Sequence, residues 1–331
     1  MTKYFVGIDT SSYTTSLAVL DEKDNIVLNI RDILKVKKGK RGLRQQEAVF
    51  QHIQNLPFLI EKMAQEIDTT KIVNISCSNR PRNREESYMP VFVVGKGQAF
   101  ILSKVLNTGY KEFSHQEGHI GAGMINSNME EKERFISLHI SGGTTEMLLV
   151  KNKKNGFDIE IIGGTLDLSL GQLIDRVGVE LGLIFPCGEE MDKVSQIGNN
   201  LKLDIHINIK DSCWFNLSGM ENYFKALIQK SEHDLEDIIA TLFYTISQFL
   251  KDIILNGCNM YNIHSVLITG GVAANSTIRN YLSKELCREG IDVFFPKKNL
   301  CTDNAVGIAY LGKTKSNLVG DKFGRKAFKG E

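Results

Sequence analysis

One unit, made of a strand, a short turn of small residues, a second strand, a charged turn and a third strand, occurs twice in this 331-residue chain. The first copy runs through residues 4–8, the turn Asp9-Thr10-Ser11-Ser12, residues 15–20, a charged turn at 21–24 and residues 26–30. The second runs through residues 135–140, the turn Ser141-Gly142-Gly143, residues 144–150, a turn at 151–156 and residues 159–162. In both copies, apolar, β-rich segments are joined by hairpin turns. Helical periodicity follows each copy: residues 44–67 and 98–106 after the first, then 171–181, 217–230 and 234–255 after the second. Pro57 is expected to split the 44–67 stretch into two helices, because proline removes an N–H donor and clashes with the preceding turn. Further strands are expected at residues 72–77, 265–269 and 291–295. Strands alternating with helices predict sheets covered on both faces, an α/β fold.

Duplication of such a unit gives two βββ-αβα halves. This is the arrangement of actin-like ATPases (the ASKHA, RNase H-like fold), with two lobes around a nucleotide-binding cleft. Residues 1–130 are expected to form the first lobe and 131–301 the second, with residues 302–331 packing back on the first. A hydrophobic share of 42% suffices for two cores. The six cysteines contain no C-x-x-C pair, which argues against a disulfide framework or a cysteine zinc site and for a reducing, cytoplasmic setting. The apolar N-terminus meets Asp9 too soon for a signal peptide, and the stretch 238–255 contains Lys251 and Asp252, so no membrane association is expected. With a net charge of +1 there is no global pull toward nucleic acid. Basic runs at 35–44 and 80–84, and Lys322, Arg325, Lys326 and Lys329, are either phosphate contacts or solvated loops.

Five motifs could carry chemistry. The two small-residue turns could let backbone N–H groups approach an anion, or could be ordinary β-turns. Gly270-Gly271, ending the strand 265–269, and Asn275, before a helix from Ser276, place bare backbone at a helix start; Asn275 either contacts a nucleotide or caps the helix. His115 and His119 in His-Gln-Glu-Gly-His are spaced i, i+4, so one helical face could aim both at one cation. Glu117 does not face with them and reads as a solvated acid, while Gly118 would give a ligand room. Asp303 in Cys301-Thr302-Asp303-Asn304 is a third ligand or, with Thr302, a helix cap. Asp167 and Asp175 are ribose acceptors or surface acids, and Gly188 closes a turn that permits close approach.

In order along the chain these pieces resemble the TsaD family, the tRNA N6-adenosine threonylcarbamoyltransferases once called O-sialoglycoprotein endopeptidases. His115–His119 matches H-x-E-G-H, and Ser141–Glu146 matches S-G-G-H-T-E/Q with Thr144 in the His position. Residues 165–176, 182–188 and 215–219 resemble further family stretches, and Gly270–Asn275 and Cys301–Asn304 match G-G-V-A-A-N and C-T-D-N. The resemblance implies metal ligands at His115, His119 and Asp303, with Fe2+ as the metal and Zn2+ as the alternative. It also implies contacts to an adenylate (threonylcarbamoyl-AMP, AMP or ATP) at Ser141, Gly142, Gly143, Asp175, Gly188, Gly270, Gly271 and Asn275. The implied reaction moves a threonylcarbamoyl or carbamoyl group to N6 of tRNA adenosine, with tRNA and TsaB-like and TsaE-like proteins as partners.

The chain departs from the family at its first motif, E-T-S-C-D-E-T, where Tyr13 and Thr14 replace the Asp-Glu pair. Residues 79–84 replace a glycine-rich stretch, and Glu221 stands where a Lys usually follows the F-S-F-S-G turn. The departures point to a divergent paralogue, either a transferase with another acceptor or a nucleotide-binding regulatory or scaffold subunit.

Overall fold

The computed structural model describes residues 2–11, 13–36, 43–84, 86–203, 205, 209–211 and 213–315. They divide into two compact units, one drawn from Met1–Asn126, Asn152–Asp158 and Asp303–Glu331, the other from Ser127–Lys151 and Ile159–Thr302. The basic residues expected at 322–329 and most of the 35–44 run lie outside the described residues.

The first unit contains β1 (Tyr4–Thr10), β2 (Thr14–Asp21), β3 (Ile26–Ile33), α1 (Gln45–Glu66), β4 (Ile72–Arg80), α2 (Val91–Val105), β5 (Gly109–Ser114) and α3 (His115–Met124). Its sheet has the order β3-β2-β1-β4-β5, with β1 antiparallel to β2 and parallel to β4. The second unit contains β6 (Arg134–Ile140), β7 (Thr145–Lys153), β8 (Gly156–Thr165), α4 (Leu170–Glu180), α5 (Gly188–Ser195), β9 (Ile209–Asp211), β10 (Trp214–Phe215), α6 (Ser218–Lys230), α7 (Leu235–Tyr261), β11 (Ser265–Thr269), α8 (Ser276–Arg288) and β12 (Asp292–Phe294). The order there is β12-β11-β6-β7-β8-β10-β9, with β6 antiparallel to β7 and parallel to β11. Read from the other end, β8-β7-β6-β11-β12 repeats the first sheet strand for strand, and β10 and β9 are additions at its edge. The chain is thus an α/β protein of the duplicated actin-like type.

The core of the first unit is built by alternate residues of β1, β2 and β4 (Val6, Ile8, Leu17, Val19, Ile75) against Leu56, Leu59 and Met63 of α1. Contrary to expectation, α1 is one helix with Pro57 inside it. Its buried stripe, Ala48, His52, Leu56, Leu59 and Met63, passes both sides of the proline. Pro57 and Ile53 both lie on the exposed face, so the hydrogen bond that proline forfeits is lost on the solvent side of the helix. In the second unit α7 is long and apolar enough to cross a membrane by length and composition. Its Ile239, Leu242, Phe243, Ile246, Leu250 and Ile253 are instead fully buried in that unit's core.

The last described helix, α9 (Val306–Thr314), returns to the first unit. A side chain at Gly7 of β1 would collide with the Ala305 carbonyl and the Ala309 nitrogen, and one at Gly307 with the Gly118 carbonyl and the Ala122 nitrogen. Bare backbone therefore lets α9 lie directly on β1 and α3, and sets Asp303, just before α9, beside the start of α3.

Candidate functional site

Helix α3 begins abruptly because Ser114 and Glu117 close a capping box. The Ser114 hydroxyl accepts from Glu117 N–H at 3.2 Å, and Glu117 Oε2 accepts from Ser114 N–H at 2.7 Å. The reading of Glu117 as a solvated acid is corrected: it is 4% exposed, and burial pushes its pKa up. Its serine cap fixes the first turn, the turn that carries His115. Gly118 does not make room for a ligand either; a side chain there would press on Ile308 of α9.

With the first turn fixed, the i, i+4 spacing brings His115 Nε2 within 3.1 Å of His119 Nε2. Asp303 Oδ1 lies 3.4 Å from both nitrogens. Ligand bonds of about 2.1 Å subtending about 90–110° at a cation leave donor atoms about 3.0–3.4 Å apart, so the three atoms fit one divalent ion. Asp303 does not cap α9: the residue at the cap position is Ala305, and Asn304 Oδ1 accepts the Val306 N–H at 3.0 Å. Burial opposes charging both His115 and Asp303, but their mutual attraction prevails. His115 is raised well above the usual histidine range, helped by Asp9, and Asp303 is held well below the usual carboxylate range, helped by His119. An entering cation would take over the balancing of these carboxylates and release the imidazole proton.

Two residues of the first small-residue turn, Asp9 and Ser11, serve this cluster. Asp9, at the end of β1 and fully buried, accepts from His115 Nδ1 at 2.9 Å. The Ser11 hydroxyl donates to Asp303 Oδ2 at 2.8 Å. His52 of α1 had no signal in the sequence. It is fully buried and bridges the Thr15 hydroxyl and the Ser11 carbonyl, each at 2.8 Å, and burial lowers its pKa. Tyr13, in the position of a family acid, is half exposed, and Thr14 is buried.

The residues expected to contact an adenylate, and Asp167, all lie in the second unit, with Ser141–Gly143 after β6 and Gly270–Asn275 after β11. Ser141 closes its turn on itself, its N–H donating to the Thr144 carbonyl at 2.8 Å and its hydroxyl to the same oxygen at 3.2 Å. The start of α4 packs on that turn: the Ser169 hydroxyl donates to the Gly142 carbonyl at 2.7 Å, and Gly171 N–H to Ser141 O at 3.1 Å. Gly270 has φ +93 and abuts the Ile140 backbone, so glycine is required there by both conformation and space. Side chains at Gly142, Gly143 and Gly188 would meet nothing within 4 Å, so the space on the Cβ side of these residues is open. Asn275 caps α8, accepting Ile278 N–H at 2.9 Å. Asp192 of α5, which the sequence did not single out, receives Ser276 N–H at 2.9 Å and ties α5 to the same helix start. Asp175 accepts Cys187 N–H at 2.8 Å, shaping the loop before Gly188, and burial raises its pKa. Asp167 is exposed yet anchored: it receives the N–H groups of Leu168, Leu217 and Ser218 at 2.7–3.0 Å. These donors outweigh burial and lower its pKa to about 2. Glu221 is buried between Arg176 and Lys225, paired at 3.0 and 2.6 Å.

In the run 80–84, Arg80 donates to Asn83 Oδ1 at 2.8 Å, and Asn83 to the Phe157 carbonyl at 2.6 Å, so part of that run holds its own loop.

The sequence model of TsaD, tRNA N6-adenosine threonylcarbamoyltransferase, matches residues 25–310. The tRNA N6-adenosine threonylcarbamoyltransferase of Fusobacterium nucleatum is 31% identical over 312 residues, covering 92% of this chain and 89% of that one. That of Thermotoga neapolitana is 29% identical, with 94% of each chain covered. Solved structures alike in fold include component A of the Acidaminococcus fermentans (R)-2-hydroxyglutaryl-CoA dehydratase, at TM-score 0.54 and 17% identity over 94% of this chain and 98% of that one. A ROK family glucokinase from Streptomyces griseus has TM-score 0.54 at 9% identity over 94% and 99%. HypF of T. kodakarensis reaches TM-score 0.57 at 12% identity, over 95% of this chain and 48% of its own.

Proposed function

The chain belongs to the TsaD family of tRNA N6-adenosine threonylcarbamoyltransferases, and from that premise we propose a metal-dependent transfer of threonylcarbamoyl from its adenylate to N6 of a tRNA adenosine. The convergence of His115, His119 and Asp303 carries this reading. Two histidines and one carboxylate are a donor set for Fe2+, with Zn2+ as the alternative, and leave coordination positions open. A divalent ion bound there supplies Lewis-acid polarisation of the transferred carbonyl. The protein's part is to hold and orient. His115 is fixed by donating from Nδ1 to Asp9, and Asp303 by accepting from the Ser11 hydroxyl.

The adenylate is assigned to the second unit. The open backbones at Gly142, Gly143 and Gly188 admit phosphate oxygens without a Cβ in the way. Ser141, Gly270 and Gly271 complete the bare turns, Asn275 stands at a helix start that favours anions, and Asp175 is the proposed acceptor for ribose hydroxyls. In the transfer, the N6 amine attacks the carbamoyl carbon, the bond from that carbon to the phosphate oxygen breaks, and AMP leaves as the amine loses a proton. TsaB-like and TsaE-like proteins are the proposed partners beside tRNA, in the cytoplasm.

The test supplies purified chain, divalent cation and partner proteins with labelled threonylcarbamoyl-AMP and tRNA. Label is expected in tRNA, and His119→Ala is expected to lower transfer by at least about 10²-fold. A wild-type chain that takes up no cation and labels no RNA removes the reading.

A further inference from the structure

We propose that Asp9 is the positioning residue of the cation site, acting through His115 to decide which imidazole nitrogen faces the ion. The assignment rests on the metal reading above and adds a residue to it. Asp9, the penultimate residue of β1, has no exposed surface, and its Oδ1 accepts from His115 Nδ1 at 2.9 Å. Its other oxygen, Oδ2, is buried without a partner. A buried carboxylate left half-satisfied is costly and gives the sheet nothing that an apolar residue would not give. Beside it, one residue beyond the last parallel pair Ile8↔Cys77, stands Ser78 of β4, whose hydroxyl is also buried and unpartnered. The two side chains share one sheet face, the face on which Gly7 meets α9. An internal water between them would satisfy both, as buried waters do for orphaned polar groups.

The consequence for His115 is geometric. With the Nδ1 proton held by Asp9, the ring's lone pair sits on Nε2. That nitrogen lies 3.1 Å from His119 Nε2 and 3.4 Å from Asp303 Oδ1. Without the carboxylate, the imidazole is free to adopt the other tautomer or to turn about its own bonds, and the three donors no longer point at one position.

The experiment uses the full chain and Co2+ alone as probe, reading affinity by chelator competition and geometry by the d–d absorption band. Wild type is compared with Asp9→Asn, Asp9→Glu, His115→Ala and the Asp9→Asn/His115→Ala pair. Asp9→Asn is expected to weaken Co2+ about 10–100-fold and to alter the band. In the His115→Ala background the same change is expected to cost only about a few-fold, because the residue acts through that histidine. If Asp9→Asn does not fold, Asp9→Glu carries the test: its longer arm displaces the ring and is expected to shift the band. Wild-type affinity and spectrum in the variant that folds, or an equally large loss when His115 is already gone, overturns the assignment alone. A wild-type chain that binds no Co2+ overturns it together with the metal reading.

Discussion

Carboxylates in this chain take their roles from what donates to them. Asp167 receives three backbone N–H groups and titrates near 2, while Glu117, despite donors from Ser114 and the Phe157 backbone, is pushed upward by burial. For Asp167 the sign is clear: a folded pKa below the unfolded one adds stability above about pH 4, and that stability is lost as pH falls toward about 2. Asp167→Asn is therefore expected to melt lower than wild type at neutral pH, with the difference closing between about pH 4 and pH 2. Melting curves across that range check it; a constant difference would refute it. The Glu117 box was legible, since Ser114-His115-Gln116-Glu117 carries the S-x-x-E signature, yet the histidines drew attention past it. Asp9 was not legible as a partner of His115, because 106 residues separate them and only the fold closes that distance.

At the scale of elements, α3 and α9 meet through glycines. Gly307→Ala is expected to destabilise by about 1–3 kcal/mol, at the upper end because the new methyl meets backbone that cannot rotate away. It is also expected to weaken cation binding, since the same contact sets Asp303 beside the histidines; denaturant melts and Co2+ titration read the two effects. Gly97, whose added Cβ meets nothing, is the control, with Gly97→Ala expected to lose neither. The hairpin units were readable because β1 and β6 are buried on both faces and so read as short apolar runs between turns. β5 escaped notice because its polar residues are spent internally. Glu112 accepts from Tyr110 and Asn79 at 2.8 and 2.7 Å, and Lys111 donates to the Gly312 carbonyl at 2.7 Å. The two-residue β10 is too short for any pattern, and α1 shows that a proline splits a helix only when no buried stripe spans it.

Across the whole molecule, the duplication reappears as two sheets sharing one strand order, and that much was written in the repeat. A ligand that binds only the folded chain stabilises it by mass action. A divalent cation at a hundredfold excess over Kd is expected to add about 2.7 kcal/mol, seen as a higher melting temperature that a chelator reverses. His119→Ala is expected to show no such shift, and an equal shift in that variant would place the ion elsewhere. The return of α9 to the first unit has a further consequence for how the molecule is born. The strand bearing Asp9 and the helix bearing the histidines leave the ribosome early, but the carboxylate that completes the proposed ion site is residue 303. On that proposal every nascent chain short of that point lacks a ligand, and ion capture would double as a report that synthesis has passed through both copies of the repeat.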